Sequence, residues 1–231
     1  MILESEINGI KFLHRQNTSD LKTFEEVIKK DVYQKKSMKI ISGESWADCG
    51  GNVGAFALLA CSLGANVTTY EPDPNNCRML EKNLKLNNFN ANIKNVALVH
   101  DQTKKANLYV GNNGNVWRNS MLKNWNGKGL KIDCLNFDDE LENIKNAKID
   151  IEGAEMLILE NTKLIFNKLV FEWSFDIDPS LTRFWNIIEK LKKDYNISDI
   201  GNTAKFKSRD YETWQKSWFP ACTNVFCYEK N

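Results

Sequence analysis

Two apolar periods alternate along this chain. Met1 to Gln16 carries two short apolar patches on either side of Asn8-Gly9, the pattern of a hairpin. Asn17-Thr18-Ser19-Asp20 then offers N-cap side chains. Leu21, Phe24, Val27 and Ile28 follow at helical spacing, which predicts an amphipathic helix from Asp20 to Tyr33. From Trp46 the two periods interleave. Trp46 to Asp48 reads as a short strand. Val53 to Leu63 is apolar nearly all round, the mark of a buried helix, and Gly64 ends it. Asn66 to Glu71 is a second strand. Pro74 opens a helix lined on one face by Cys77, Leu80 and Leu84 and stopped by Asn87-Asn88, and Ile93 to Val99 is a third strand. This order predicts a parallel sheet with right-handed crossovers.

The second half is less regular. Ala106 to Val110 and Leu130 to Cys134 read as strands around an insert, Gly111 to Gly129, rich in Asn, Gly and Trp. A long irregular insert in a compact domain is often functional. Asn136 to Leu141 is a short helix, Ala147 to Ile151 a strand, Ala154 to Glu160 a helix, and Leu169 to Trp173 a strand. Leu181, Phe184, Trp185, Ile188 and Leu191 mark an amphipathic helix, and Ile197 to Ile200 and Asn224 to Tyr228 are two last strands. No repeat or linker interrupts the pattern, so residues 1–231 are expected to form one domain.

Composition narrows the choice. An apolar share of 42% and an aromatic share of 11% suit a packed core rather than a disordered chain. The net charge of +1 lacks the basic bias of a duplex-binding protein, so nucleic acid is not the expected partner. The six cysteines form no Cys-x-x-Cys pair and the two histidines, His14 and His100, lie far apart, so no zinc site is expected. Reduced thiols and a reducing compartment are expected instead. With no leader-like start and no run near the ~18 apolar residues of a membrane span, a soluble, cytoplasmic protein is expected. Asn, Lys and Ile usage fits an AT-rich bacterium or a large DNA virus, whose protein would work in the host cytoplasm.

Three motifs bear on chemistry. Gly50, Gly51 and Gly54 sit between a strand and a buried helix, where α/β sheets bind nucleotides and where a purely structural tight turn would also use glycine. Asp48 stands immediately before them. A carboxylate there would repel a dinucleotide's phosphates and suits a cationic sulfonium cofactor. Glu71 ends the second strand, 17 residues after Gly54, where a carboxylate can accept from both ribose hydroxyls or simply be a solvated strand end. In Lys148-Ile149-Asp150-Ile151-Glu152-Gly153-Ala154-Glu155, alternation puts Lys148, Asp150 and Glu152 on one face, which suits a cleft or an ion-paired strand end. Glu155 falls in the first helical turn.

The segments WADCGGNVGAFALLA, YEPDPNNCRMLEKNLKLN, NVALV, LNFDDEL and KIDIEGAEMLILE occur in this order. Together they resemble the FkbM-type family of class I methyltransferases, with an Asp-x-Gly-Ala-Asn-x-Gly turn, a Glu-Pro segment, a Leu-Asp-Asp element and a Lys-x-Asp-x-Glu-Gly-Ala-Glu block. The upstream NTSDLKTFEEVIKKDVY is similar to the family's N-terminal helix, so the resemblance runs from Asn17 to Trp173. Gly51 stands where the family usually has Ala, a sterically mild departure, and Asn136-Phe137 replaces the usual Leu. The resemblance implies an α/β fold: a Rossmann-like, seven-stranded, mostly parallel sheet over residues 44–231 with an antiparallel terminal strand, preceded by a small helical extension over 1–40. It implies S-adenosylmethionine and O-methylation of a hydroxyl on a sugar, glycan or small metabolite. Carried over by position, Asp48, Gly50, Gly51, Asn52 and Gly54 would surround the methionine and ribose part. Glu71 would hold the ribose, Val96 and Ala97 would border the adenine, and Asp150 would face the sulfonium.

A hydroxyl acceptor benefits from a base or a metal. Asp150 and Glu152 are the expected catalytic carboxylates, with Lys148 orienting them or holding a substrate oxygen and Glu172 in reserve. Asp150 with Glu152 could instead hold Mg²⁺, although no metal site is assigned. Trp117, Arg118, Asn119, Ser120 and Trp125 are candidates for acceptor recognition, and Tyr211, Trp214, Trp218 and Phe219 are expected to pack the last strands. Rival readings are a methyltransferase of RNA or protein, a nucleotide-cofactor oxidoreductase, and a binding module without turnover.

Overall fold

A computed structural model of the chain describes residues 1–35, 38–111, 119–124, 129–174, 177–200 and 222–230, the last three before 201 by backbone alone. Asn8 and Gly9 both take positive φ, 51° and 79°. A two-residue turn needs two such residues to match the twist of its strands. It pairs β1 (Ile2–Ile7) with β2 (Ile10–Arg15) antiparallel, Ile7 opposite Ile10. The hairpin is fastened to the body by Asn83, which accepts from Leu13 N at 2.6 Å and donates to Leu13 O at 3.2 Å and Val53 O at 2.8 Å.

The first helix is shorter than its periodicity predicts. α1 (Asp20–Phe24) passes into a π-helical turn, Glu25–Lys29, and Asp31 with φ of 55° ends it. The buried Asp20 carboxylate is taken up by Arg15, at 2.8 Å from both Nε and Nη2. Beyond Asp31 the chain turns inward, and Tyr33 is buried.

The remaining elements follow in the expected alternation. They are β3 (Ser45–Cys49), α2 (Ala55–Ser62), β4 (Asn66–Tyr70), α3 (Pro74–Leu86), β5 (Asn92–Lys94), β6 (Ala97–Val99), β7 (Lys105–Tyr109) and β8 (Gly129–Asn136). Then come α4 (Phe137–Leu141), β9 (Asn146–Ile149), α5 (Glu155–Asn161), β10 (Lys168–Ser174), α6 (Leu181–Leu191), β11 (Tyr195–Ile200) and β12 (Cys222–Glu229). Seven strands form one sheet in the order β11-β12-β10-β9-β3-β4-β5. β5, β4, β3, β9 and β10 run parallel, and β12 lies antiparallel between β10 and β11. This is the mostly parallel seven-stranded α/β sheet that the resemblance implies.

Strand alternation divides the sheet into two faces. Ala147, Ile149, Leu169, Phe171, Trp173, Val225 and Cys227 pack with α4, α5 and α6. Trp46, Val67, Val170 and Phe226 pack on the other side with α1, α2, α3 and the hairpin. Lys148 and Asp150 alternate with Ile149, and Glu172 and Ser174 with Trp173. All four therefore project on the α1–α2 side, at the carboxyl edge of the strands.

Ile93 to Val99 is two strands rather than one. The Asn95 side chain donates to Glu71 O at 2.7 Å and to Pro72 O at 3.2 Å, and the chain leaves the main sheet there. β6 then pairs parallel with β8 in a separate three-stranded sheet, β6-β8-β7.

Candidate active site

The turn after β3 is built from left-handed residues: Gly50 at φ 85°, Asn52 at 48° and Gly54 at 95°. Gly50 N and Gly51 N both donate to Tyr70 O, at 2.9 and 3.0 Å, which binds the turn to the end of β4. A methyl group on Gly50 would stand 1.8 Å from Asp150 O, so glycine is required by the neighbouring strand end. Gly51 is no mild exchange for alanine either. A Cβ there would meet Thr69 Oγ1 at 2.1 Å and Leu80 Cδ1 at 2.8 Å. Thr69 fills that space in this chain.

Register places Thr69, Asp48 and Lys148 side by side across β4, β3 and β9. Thr69 donates to Asp48 Oδ2 at 3.1 Å, and Lys148 Nζ lies 3.1 Å from Asp48 Oδ1. Lys148 also donates to Gly50 O at 2.8 Å and Cys49 O at 3.3 Å, and stands 3.9 Å from Asp150 Oδ2. Burial pulls its pKa down, but the charges of Asp48 and Asp150 outweigh it, so the ammonium is held well above the usual lysine range. Asp48 is wholly buried and lies behind the cavity wall. Its charge faces the Lys148 ammonium within the fold.

A cavity of about 540 Å³ opens over this turn, within the usual range for small-molecule sites. Of the sequence-predicted residues, Gly50, Gly51, Asn52, Glu71, Val96, Ala97, Lys148, Asp150 and Glu152 line it, while Asp48 and Gly54 do not. Glu71 is buried and accepts from Asn52 N through Oε2 at 2.7 Å and from Asp73 N through Oε1 at 2.8 Å. Burial pushes its pKa up to about 7, against the pull of those two N–H groups. Val96, Ala97 and Leu98, with Leu108 and Met121, make an apolar wall on the side of the three-stranded sheet.

The opposite end is acidic. Asp150, Glu152 and Glu172 each bring a carboxylate oxygen within 4.8 Å of the others. Tyr33 donates to Asp150 Oδ2 at 2.5 Å. Burial and the charge of Asp150 raise the phenol well above its usual value, so it remains a donor. Burial and Asp150's charge likewise hold Glu172 well above the usual carboxylate range, with Cys222 pulling the other way through a hydrogen bond. Glu155 shapes the loop between Asp150 and α5, accepting from Ile151 N at 2.7 Å and Gly153 N at 2.8 Å. Glu152 sits in that loop at φ of 56°, a costly conformation for a non-glycine residue.

Two residues of the insert reach the site. Ser120 donates to Glu152 O at 2.6 Å, and Asn119 donates to Asp73 Oδ2 at 2.9 Å and lines the cavity. Trp117, Arg118, Trp125, Tyr211, Trp214, Trp218 and Phe219 lie outside the described residues.

Residues 48–197, more than half of the chain, match the methyltransferase FkbM domain. The chain belongs to the FkbM methyltransferase family. The match begins at Asp48, so the Asp20 helix of the resemblance lies outside it. Sequence comparison with curated proteins finds no match. Solved methyltransferases share the fold. The Pyrococcus abyssi tRNA (uracil-54, C5)-methyltransferase, in complex with S-adenosyl-L-homocysteine, superposes with a TM-score of 0.54 at 13% identity over 98% of this chain. This chain spans only 44% of that enzyme's length. The Methanococcus jannaschii fibrillarin pre-rRNA processing protein gives 0.52 at 12% identity, covering 100% of this chain and 83% of that one. A putative rRNA methylase from Clostridium thermocellum gives 0.51 at 8%, covering 94% and 99%.

The cavity of this FkbM methyltransferase is also lined by residues the sequence did not flag. Tyr33 reaches Asp150 from 117 positions away, and no local pattern marks such a contact. Cys222 and Asn224 enter the cavity wall from β12, Asn224 directly opposite Glu172 in register. Asn224, beside the apolar run Val225 to Cys227, was the available signal.

Proposed function

We propose that this FkbM methyltransferase, acting as one domain over residues 1–231, uses S-adenosylmethionine to methylate a hydroxyl of a sugar, glycan or small metabolite. The observation that carries the reading is the convergence of Asp150, Glu152 and Glu172 at one end of a cavity whose other end is apolar. The residues present fit the cofactor. Asn52 Oδ1 is buried at the turn without a hydrogen-bond partner among the described residues. Each Glu71 oxygen holds one backbone donor and keeps a lone pair for a ribose hydroxyl. The acidic lining suits a sulfonium cation and repels a polyanion, which favours a small acceptor over RNA.

S-adenosylmethionine supplies an activated methyl carbon, so the protein's work is to position two reactants and exclude water. Glu71 holds the ribose end and Val96 and Ala97 flank the base. Gly50, Gly51 and Asn52 border the amino-acid end. Tyr33 fixes Asp150 through Oδ2, and Oδ1 has no hydrogen-bond partner among the described residues. That oxygen takes the acceptor's proton, with Glu152 and Glu172 beside it. Lys148 has its protons engaged by Asp48, Cys49 O and Gly50 O, so its role is to position Asp150 and the turn.

Transfer of labelled methyl from S-adenosylmethionine to a panel of glycans and small polyols, with transfer RNA and ribosomal RNA alongside, tests the acceptor class. Labelling of a hydroxyl compound supports the reading, and labelling of RNA alone overturns it. Glu71 adds a pH signature. Hydrogen bonds from ribose favour its charged form, and that form is lost as pH falls through about 7. Cofactor affinity is therefore expected to weaken by about tenfold from pH 8 to pH 6, following the ionised fraction of a group with that pKa. In Glu71→Gln this dependence flattens. Titration calorimetry at several pH values reads both, and a flat profile in the unaltered protein would remove Glu71 from the ribose.

A further inference from the structure

We propose that Asp150, Glu152 and Glu172 form a site for a hard divalent cation of the Mg²⁺ or Mn²⁺ kind, which chelates an acceptor bearing two adjacent oxygens. The chelating role rests on the methyl-transfer reading; the cation site rests on the geometry alone. Oxygens bound to one such ion at about 2.0–2.4 Å lie no more than about 4–5 Å apart. The three carboxylates meet that limit, with one oxygen from each within 4.8 Å of the other two. They come from two strand ends and a loop, and all meet on the α1–α2 side of the sheet.

A second observation points to a ligand at the same place. Ser174 follows Glu172 on the same face of β10, lines the same cavity and is 2% exposed, yet its Oγ has no hydrogen-bond partner among the described residues. Asn224, opposite Glu172 in register, has a buried Oδ1 in the same condition. Buried oxygens without partners are costly. Here two neutral oxygens border three carboxylates, a set of donors that matches a hard cation or the waters it carries. The surroundings keep the ligands in place. Tyr33 and Lys148 hold Asp150 through Oδ2, and Glu155 holds the loop that presents Glu152. Three carboxylates and one divalent ion leave a net negative charge, which still accommodates the cationic methyl donor. Adjacent hydroxyls of the acceptor would complete the coordination shell, and the ion would lower the cost of removing one hydroxyl's proton, which would pass to Asp150 Oδ1.

Mn²⁺ binding to the full chain, read by the loss of the free-ion paramagnetic resonance signal and by calorimetry, tests the site. One saturable ion is expected per chain. Glu172→Gln and Glu152→Gln should each weaken it by about tenfold or more, since even supporting residues of metal sites cost that much. Glu81→Gln, an exposed control, should leave it unchanged. Calorimetry with S-adenosylmethionine on the same samples reports that the variants are folded. No saturable Mn²⁺ binding in the unaltered protein, or binding indifferent to Glu172→Gln and Glu152→Gln, overturns the site. Full turnover on a diol acceptor in excess chelator overturns its chelating role. Mn²⁺ binding without binding of S-adenosylmethionine supports the ion site and counts against the methyl-transfer reading alone.

Discussion

Asp150→Asn is expected to lower kcat for methyl transfer by about 10²–10⁴-fold, the usual contribution of a positioned proton acceptor. The change is nearly isosteric. An amide oxygen can still accept from Tyr33, so the loop and the neighbouring Gly50 turn should keep their geometry. What is lost is the negative charge proposed to take the acceptor's proton. Affinity for S-adenosylmethionine should move much less than kcat, because the ribose and base contacts are proposed to lie at Glu71, Val96 and Ala97. Single-turnover kinetics with labelled cofactor separates the two effects. A variant within about threefold of the unaltered kcat would exclude Asp150 as the base, since an acid–base role contributes at least about a hundredfold.

The largest structural effect is expected at Lys148. Lys148→Met keeps most of the volume and removes the charge, leaving the wholly buried Asp48 without its cation. Breaking a buried pair from one side costs about 3–5 kcal/mol, because the remaining charge is uncompensated. For a chain of this size each kcal/mol lowers Tm by about 2–4 °C, so a fall of about 6–20 °C is expected in a thermal melt. Removing the partner charge as well should restore part of the loss. Lys148→Met with Asp48→Asn is therefore expected to be more stable than Lys148→Met alone, a coupling that a double-mutant cycle measures. Simple additivity would show that Asp48 and Lys148 act independently, against the geometry of the β3–β9 register.

That pair also shows how far the sequence carries. Alternation in Lys148-Ile149-Asp150 correctly assigns the two charged residues to one face, because period two is a local property of a strand. Asn8-Gly9 predicts its turn for the same reason. The role of Asp48 is different. Its place before the glycines suggests contact with a cation on the ligand, and strand register adds a cation within the fold that no local pattern announces. Pairing between β3 and β9 joins residues a hundred positions apart, and nothing local encodes it. Gly51 carries the same lesson, since alanine is excluded by Thr69 on the adjacent strand. Asn95 ends a strand that apolar pattern alone extended to Val99, because its amide finds Glu71 O and Pro72 O. Helical spacing makes Tyr33 the last residue of a helix. It contributes to the site because Asp31 breaks that helix and turns the chain inward.

The family's motifs thus pick out residues that line one cavity: the Gly50 turn, Glu71 and the Asp150 loop. The long-range partners Tyr33, Ser174 and Asn224 emerged only from the packing of β10, β12 and the N-terminal segment around that loop.

The central claim is that the cavity over the Gly50 turn is a cradle for a cationic methyl donor rather than a dinucleotide. Titration calorimetry of the full chain at pH 8 with S-adenosylmethionine and, separately, with NAD tests it most directly. The account predicts saturable binding of S-adenosylmethionine, lost in Glu71→Ala, and no detectable binding of NAD. Binding of NAD alone, or of S-adenosylmethionine with an affinity unaffected by Glu71→Ala, would contradict it.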